Sequence, residues 1–398
     1  MIFSPQEFEL RVSRAQEMME KEKLDAIIVS GDFSAGMNYY YLSGHLPRDY
    51  QSNFSRPHIM VLKQDGQASL LVYNVNRENA ADMSWVKDIK IYGPPFGYEA
   101  LEGVLTDLQV HRGTIGMELG FDQRLWFPVL EFLKLRESMS DATFVDAADI
   151  LWRLRMIKSN EEIDLIRRAG RINGRALRRA FSELKEGDTE HDVARLVCQF
   201  MIAEGANRPP HTQFLVVTEQ KAKSKGHRAR MLGPSNDQLR EGELLFVDSG
   251  AVVDGYWGEF NRMAVVGEAS ERKVENHKKI RTIVRRSIEE AFKPGNSYRS
   301  VIEHMVTIYQ DLDLEEAQYA SYTKPPFFHL AHGVGLNGSE PPFVRMDDES
   351  PLEVGMVVDV EAYLTDDGMT YGSEENVLIT EKGSEILSYP DQGLYTIY

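Results

Sequence analysis

A single cysteine, Cys198, stands among 398 residues. One thiol excludes a disulfide-stapled fold and a multi-cysteine zinc site, and a chain without disulfides suits a reducing compartment. Cys198 falls in the apolar run 194–201, where a small buried hydrophobe on a helix is the simplest reading. Long apolar runs are missing too. None approaches the roughly 20 residues that span a bilayer, and the charged first segment, MIFSPQEFELRVSRAQEMMEKEK, has no signal-peptide core. The expected location is the cytoplasm. Positive charge is scarce, with 45 Lys and Arg against 62 Asp and Glu and a formal net charge of −17. That excludes the basic face of a nucleic-acid binder and attraction to an anionic membrane surface, and the acidity reads as solubility. There is no nucleophile elbow, no glycine-rich phosphate loop, and nothing that sets Ser, His and Asp as a triad.

What is present is long enough for two domains. Residues 6–23 carry Phe8, Val12, Ala15, Met18 and Met19 at helical spacing. Residues 25–31, 58–62, 68–73 and the segment TIGMEL read as strands, Asn38 to Gly44 as a structured segment closed by glycine, and FPVLEFLKLRE as a helix. This alternation is an α/β pattern. The texture changes near Lys158. Ser159 and Glu162 have the spacing of a capping box, heading a helix with a stripe of Ile163, Ile166, Ala169 and Gly170. A second helix follows Thr189. Strands then dominate, interrupted by one helix over 272–292. The expected domains are 1–157 and 158–398.

The chemistry concentrates in the second part. Asp248 ends the apolar run Leu-Leu-Phe-Val, and Glu259 follows eleven residues later, with glycines at 250, 255 and 258 between them. A hairpin would bring both acids to one face of a sheet. Two carboxylates held close repel unless a proton or cation lies between them, and a divalent cation is the stronger solution. His332 has small neighbours that leave its ring approachable, Glu361 ends the run MVVDVE, and Glu374 opens ENVLIT. Four acids and one imidazole suit manganese, cobalt, zinc or iron. Two such ions close together generate hydroxide at neutral pH and polarise a carbonyl. Singly, each residue has a simpler reading, as a solvated strand end or a structural histidine.

The ordered set resembles the creatinase, aminopeptidase P and prolidase superfamily. The resemblance runs through Asn38-x-x-Tyr-x-x-Gly44, Arg155-Met-Ile-Lys-Ser159 with Glu162 and Ile163, and Asp248-Ser-Gly with Gly255-Tyr256, Glu259 and Arg262. It continues in His332-Gly-Val-Gly-Leu with Glu340-Pro341, in Gly355-Met-Val to Glu361, and in Glu374 to Thr380. It implies an α/β N-terminal domain joined to an α+β pita-bread catalytic domain with a curved, mainly antiparallel sheet. It implies a homodimeric hydrolase that cleaves an amide bond in a short peptide or small molecule with a hydroxide bridging two divalent metal ions. Asp248 would hold one ion, Glu259 and Glu374 would bridge, and His332 and Glu361 would complete the second. Catalytic work would fall to His227, His332 and Glu361. His227, Arg228, Tyr256, His329 and Ser339 would line the substrate site, with His211 competing for the role of His227.

The sequence also departs from the peptidase pattern. Glu259 stands where the family has Asp, and one extra methylene shifts a bridging carboxylate by more than a metal–oxygen bond tolerates without rearrangement. Ser339 replaces a histidine, Phe328 replaces another with His329 one residue off, Ala362 replaces Pro, and Gly372 replaces Arg. Three readings follow: an Xaa-Pro peptidase, a non-peptidase branch of creatinase, ectoine hydrolase or dimethylsulfoniopropionate lyase type, and a binding protein that has lost catalysis. The basic run from Lys221 to Arg230 is either a solvated loop or a receiver for an acidic substrate group through Arg228 or Arg230. Ser55, Arg56 and Tyr39 to Tyr41 are candidates for packing or for a partner subunit's pocket.

Overall fold

The four apolar runs of the first part become strands of a six-stranded sheet, which two unread strands, Asp88–Tyr92 and Thr143–Asp146, complete. A computed structural model describes residues 2–32, 36–47, 56–207, 215–323, 330–390 and 393–398. It divides into two units, Met1–Arg155 and Met156–Tyr398. In the first, β1 (Ala26–Gly31), β2 (His58–Lys63), β3 (Ala68–Tyr73), β4 (Asp88–Tyr92), β5 (Thr114–Met117) and β6 (Thr143–Asp146) lie in the order β4-β3-β2-β1-β5-β6. Pairing is antiparallel for β1–β2 and β2–β3, and parallel elsewhere. The Asn38 segment is a helix, Met37–Ser43, closed by Gly44 at φ 71°. Its motif residues are structural. The Asn38 amide donates to Glu118 at 2.8 Å and accepts from Arg155 at 2.9 Å, and the Tyr41 hydroxyl donates to the Leu154 carbonyl. Tyr39, Tyr40 and Tyr41 are all buried. Arg56 stacks over the Tyr73 ring at 4.8 Å, while Ser55 lies outside the described residues.

The second unit opens with the expected capping box. Ser159 Oγ accepts from the Glu162 amide at 3.2 Å, and Glu162 Oε2 accepts from the Ser159 amide at 2.9 Å. The helix Asn160–Glu183 buries Ile163, Ile166, Ala169 and Gly170 against a hairpin of β8 (Leu244–Val253) and β9 (Tyr256–Val266). Asp254 and Gly255 both take positive φ, 50° and 91°, the backbone of a two-residue type I′ turn that matches strand twist. With β7 (Leu215–Thr218) and β15 (Tyr395–Ile397) the hairpin forms a four-stranded sheet, β15-β9-β8-β7, antiparallel except for β15 on β9. A five-stranded antiparallel sheet, β11-β10-β12-β13-β14, comes from β10 (Ala331–Gly333), β11 (Glu340–Val344), β12 (Val357–Asp366), β13 (Met369–Thr380) and β14 (Gly383–Ile386).

Between β9 and β10 the described residues form three helices, not one: Glu271–Glu290, Tyr298–Asp311 and Glu316–Thr323. The second has a Ser297 cap and buries Tyr298, Val301, Ile302, Met305, Ile308 and Tyr309, a helical stripe legible in the sequence. The first half of the basic run is helix rather than loop, Glu219–Lys225, with Lys223 and Lys225 exposed but Lys221 buried, its ammonium 2.7 Å from Glu190. Cys198 lies on the helix Glu190–Ala203 but is only half-buried. Among the described residues no helix is long and apolar enough to cross a membrane.

Helix and hairpin meet at glycine. A Cβ at Gly258 would lie 2.1 Å from the Gly170 nitrogen and 2.5 Å from the Ala169 carbonyl carbon. Backbone cannot yield as a side chain can, so Gly258→Ala is expected to destabilise the unit by about 3 kcal/mol. An unchanged thermal midpoint would contradict this.

Candidate metal centre

The hairpin register decides how the first two acids meet. Asp248 pairs with Asn261, and Gly250 pairs with Glu259. All four positions share one face of the ladder, so Asp248 and Glu259 are diagonal neighbours. Gly250 leaves room for the longer side chain, since a Cβ there would meet the Glu259 Cβ at 3.0 Å and the Trp257 ring at 2.8 Å. Ser249, on the other face, exchanges hydrogen bonds with Asn173.

The second sheet supplies the rest. On β12, Glu361 pairs with Glu374 of β13, and Asp359 pairs with both His332 of β10 and Asn376 of β13. The His332 Nε2 is 2.8 Å from a Glu361 oxygen and 3.9 Å from Glu259 Oε2, and its Nδ1 is 3.1 Å from the Gly333 carbonyl. The two sheets join through side chains rather than a continuous ladder. Asn376 accepts from the Glu259 amide at 3.1 Å and donates to the Glu259 carbonyl at 2.6 Å, and Glu374 Oε2 accepts from the Asn261 amide at 2.7 Å. Arg262 ties β9 to β13 through the Glu374 carbonyl and both Glu375 oxygens.

Two groups of ligand atoms result, each with its atoms within 4.8 Å of one another: Asp248, Glu259 and Glu374, and Glu259, His332 and Asp359. Glu259 belongs to both. Burial, followed by the neighbouring acids, holds Glu259, Asp359 and Glu374 well above the ordinary carboxylate range, and burial raises Asp248 as well. Burial would lower His332, but its bond to Glu361 and that group's charge carry it above its usual value. Glu259 Oε2, Asp359 Oδ2 and both amide atoms of Asn261 are buried without a hydrogen-bond partner among the described residues. Concentrated negative charge, one imidazole and orphaned oxygens fit divalent cations.

The other expected site residues fall differently. Tyr256 is wholly buried, and its hydroxyl donates to Glu162 Oε1 at 2.8 Å. It completes the cap of the helix Asn160–Glu183, which accounts for this tyrosine without a substrate. Ser339 is exposed just before β11. His329 and His211 lie outside the described residues, as do the side chains of His227 and Arg228, whose backbone is in the turn Gly226–Met231. Arg230 does come to the acids. Its Nη2 donates to the Tyr363 hydroxyl at 3.0 Å, which in turn donates to Glu374, and its guanidinium lies 4.3 Å from the Tyr363 ring centre. Gly372 pairs with Tyr363, and a Cβ there would crowd Phe246, Asn261 and Tyr363. An arginine therefore reaches this corner from position 230, not from 372.

Asp359 was not anticipated, although the signal was available. It interrupts the apolar run of a buried strand and shares the face of Glu361 two residues on.

Residues 164–381 match the model of metallopeptidase family M24, and residues 11–157 match the creatinase/prolidase N-terminal domain. The chain belongs to metallopeptidase family M24. M24 membership makes it a metallohydrolase and implies divalent metal ions, in keeping with the motif resemblance. A relative, the Xaa-Pro dipeptidase of Pyrococcus horikoshii, is 28% identical over 389 residues, covering 96% of this chain and 98% of that protein. The creatinase of a Bacillus species is 26% identical over 407 residues, covering 98% and 92%. The solved X-Pro aminopeptidase of Thermotoga maritima superposes with a TM-score of 0.78 at 21% identity, covering 97% of this chain and 99% of that one, and so shares the fold.

Proposed function

We propose that this M24 chain is a two-ion peptidase that cleaves the bond before proline in short peptides. The observation that carries the two-ion reading is the place of Glu259, whose carboxylate is common to both groups of ligand atoms. Asp248 and Glu374 would hold one ion with it, and His332 and Glu361 would serve the other. Bound divalent ions would make water nucleophilic at neutral pH and polarise the peptide carbonyl. The chain's own contribution is positional. Asn376 fixes the Glu259 backbone, Tyr363 and Arg230 brace Glu374, and Gly333 orients the His332 ring. The Xaa-Pro specificity is supported by relatives named for it over nearly the whole chain.

The test is metal analysis of the purified chain together with hydrolysis of Xaa-Pro dipeptides, using a dipeptide without proline as control. Two ions per chain with proline-selective cleavage is the expected result. Stoichiometric metal with no peptide cleaved would reject the peptidase and favour a non-peptidase branch. That second reading draws on exposed Ser339, which stands where peptidases have a histidine, and on the nearly equal identity to a creatinase.

A further inference from the structure

We propose that Asp359 is a metal ligand, completing with Glu259 and His332 the second cation position; this deepens, and rests on, the two-ion reading above. The geometry comes first. A carboxylate oxygen of Asp359, one of Glu259 and a ring nitrogen of His332 all lie within 4.8 Å of one another. Asp359 is 0% exposed, near the start of β12 and flanked in register by His332 and Asn376. Its Oδ1 accepts from Asn376 Nδ2 at 2.8 Å, while Oδ2 has no partner among the described residues. The same amide holds the Glu259 backbone, so one side chain registers both acids.

A buried carboxylate oxygen without a donor is costly unless a cation or proton meets it. Glu259 Oε2, in the same group, is also without a donor among the described residues. Asn261 adds an independent sign. Directly opposite Asp248, it is 0% exposed, and both its amide atoms lack a hydrogen-bond partner among the described residues, so a neutral side chain on that face also lacks the contact burial demands. Glu259 and Asp359 work as a matched pair. The longer acid at 259 spans from Asp248 to the neighbourhood of β12, where Asp359 meets it. Five carboxylates then face two divalent ions and the Arg230 guanidinium, which balances charge without a protonated acid. Oxygen-rich donors of this kind favour manganese over softer ions.

The test uses Asp359→Asn, which keeps the oxygen bonded to Asn376 and removes the anionic one. Manganese is titrated into chelator-stripped full-length protein and counted by electron paramagnetic resonance and mass spectrometry. Two ions per wild-type chain are expected, with one lost or weakened at least ~10-fold in Asp359→Asn. Two ions at wild-type affinity in the variant would overturn the proposal. If wild type itself binds fewer than two, the two-ion reading falls, and this one with it. Should the variant misfold by circular dichroism, anomalous scattering from manganese-soaked wild-type crystals decides. An ion within about 2.2 Å of an Asp359 oxygen supports the assignment, and two ions held without Asp359 refute it.

Discussion

Chelation is expected to abolish hydrolysis and to leave a folded chain that grows less stable as pH rises. The reason lies in the buried acids. Asp248, Glu259, Asp359 and Glu374 all titrate above their usual range in the metal-free fold, burial being the largest cause. Unfolded, such groups titrate near pH 4. Above that pH the unfolded chain has released protons that the folded chain retains, so stability falls with rising pH until the folded groups also ionise. The full contribution is present below about pH 4, and each unit of upward shift removes about 1.4 kcal/mol. Divalent ions reverse the sign, because they bind the ionised ligands of the folded state and displace those protons. Urea midpoints at pH 5 and pH 8, each in chelator and in excess manganese, check this. The loaded-minus-stripped difference should widen at pH 8. A difference that is equal at both pH values would contradict the assignment of these acids to a cation site.

Asp248→Asn is expected to separate activity from stability. The amide cannot grip the ion as the carboxylate does, and turnover should fall by about three orders of magnitude, the scale on which charge-stabilising groups act in enclosed sites. The metal-free variant should nonetheless unfold at higher urea than metal-free wild type at pH 8. The substitution removes one of several like charges buried together and leaves the shape unchanged. Steady-state rates with manganese and denaturation in chelator are the two measurements. A variant that loses activity and also loses metal-free stability would mark Asp248 as a structural residue.

The sequence disclosed this site unevenly, for physical reasons. Asp248, His332, Glu361 and Glu374 were legible only as an ordered set, through the resemblance to a family, since each alone reads as a strand end or a structural histidine; the Ser159–Glu162 box is local enough to be read directly. Tyr256 and Lys221 mislead because their partners are remote. Glu162 is 94 residues from Tyr256, and Glu190 is 31 from Lys221, so spacing along the chain cannot reveal that each is already satisfied. Arg230 was legible only as one of several cations, since its stacking on Tyr363 depends on how β8, β12 and β13 meet. In the first unit β1, β2, β3 and β5 were plain as short apolar runs, whereas β4 (Asp88–Tyr92) and β6 (Thr143–Asp146), mostly exposed or half-buried and carrying charged residues, were not read. The helix Tyr298–Asp311, which lies between the helices Glu271–Glu290 and Glu316–Thr323, was overlooked although its apolar stripe is regular.

The Asn376 amide has one more consequence. With its oxygen on the Glu259 nitrogen and its nitrogen shared between the Glu259 carbonyl and Asp359, it serves as a borrowed peptide unit where the ladder between β9 and β13 is otherwise open. A planar group of fixed size thereby acts as a spacer between two sheets, beside the Glu374–Asn261 and Arg262 bonds that cross the same seam. Its oxygen and nitrogen both grip the Glu259 backbone, so the position of that one carboxylate against β13 is set by covalent geometry as well as by softer contacts.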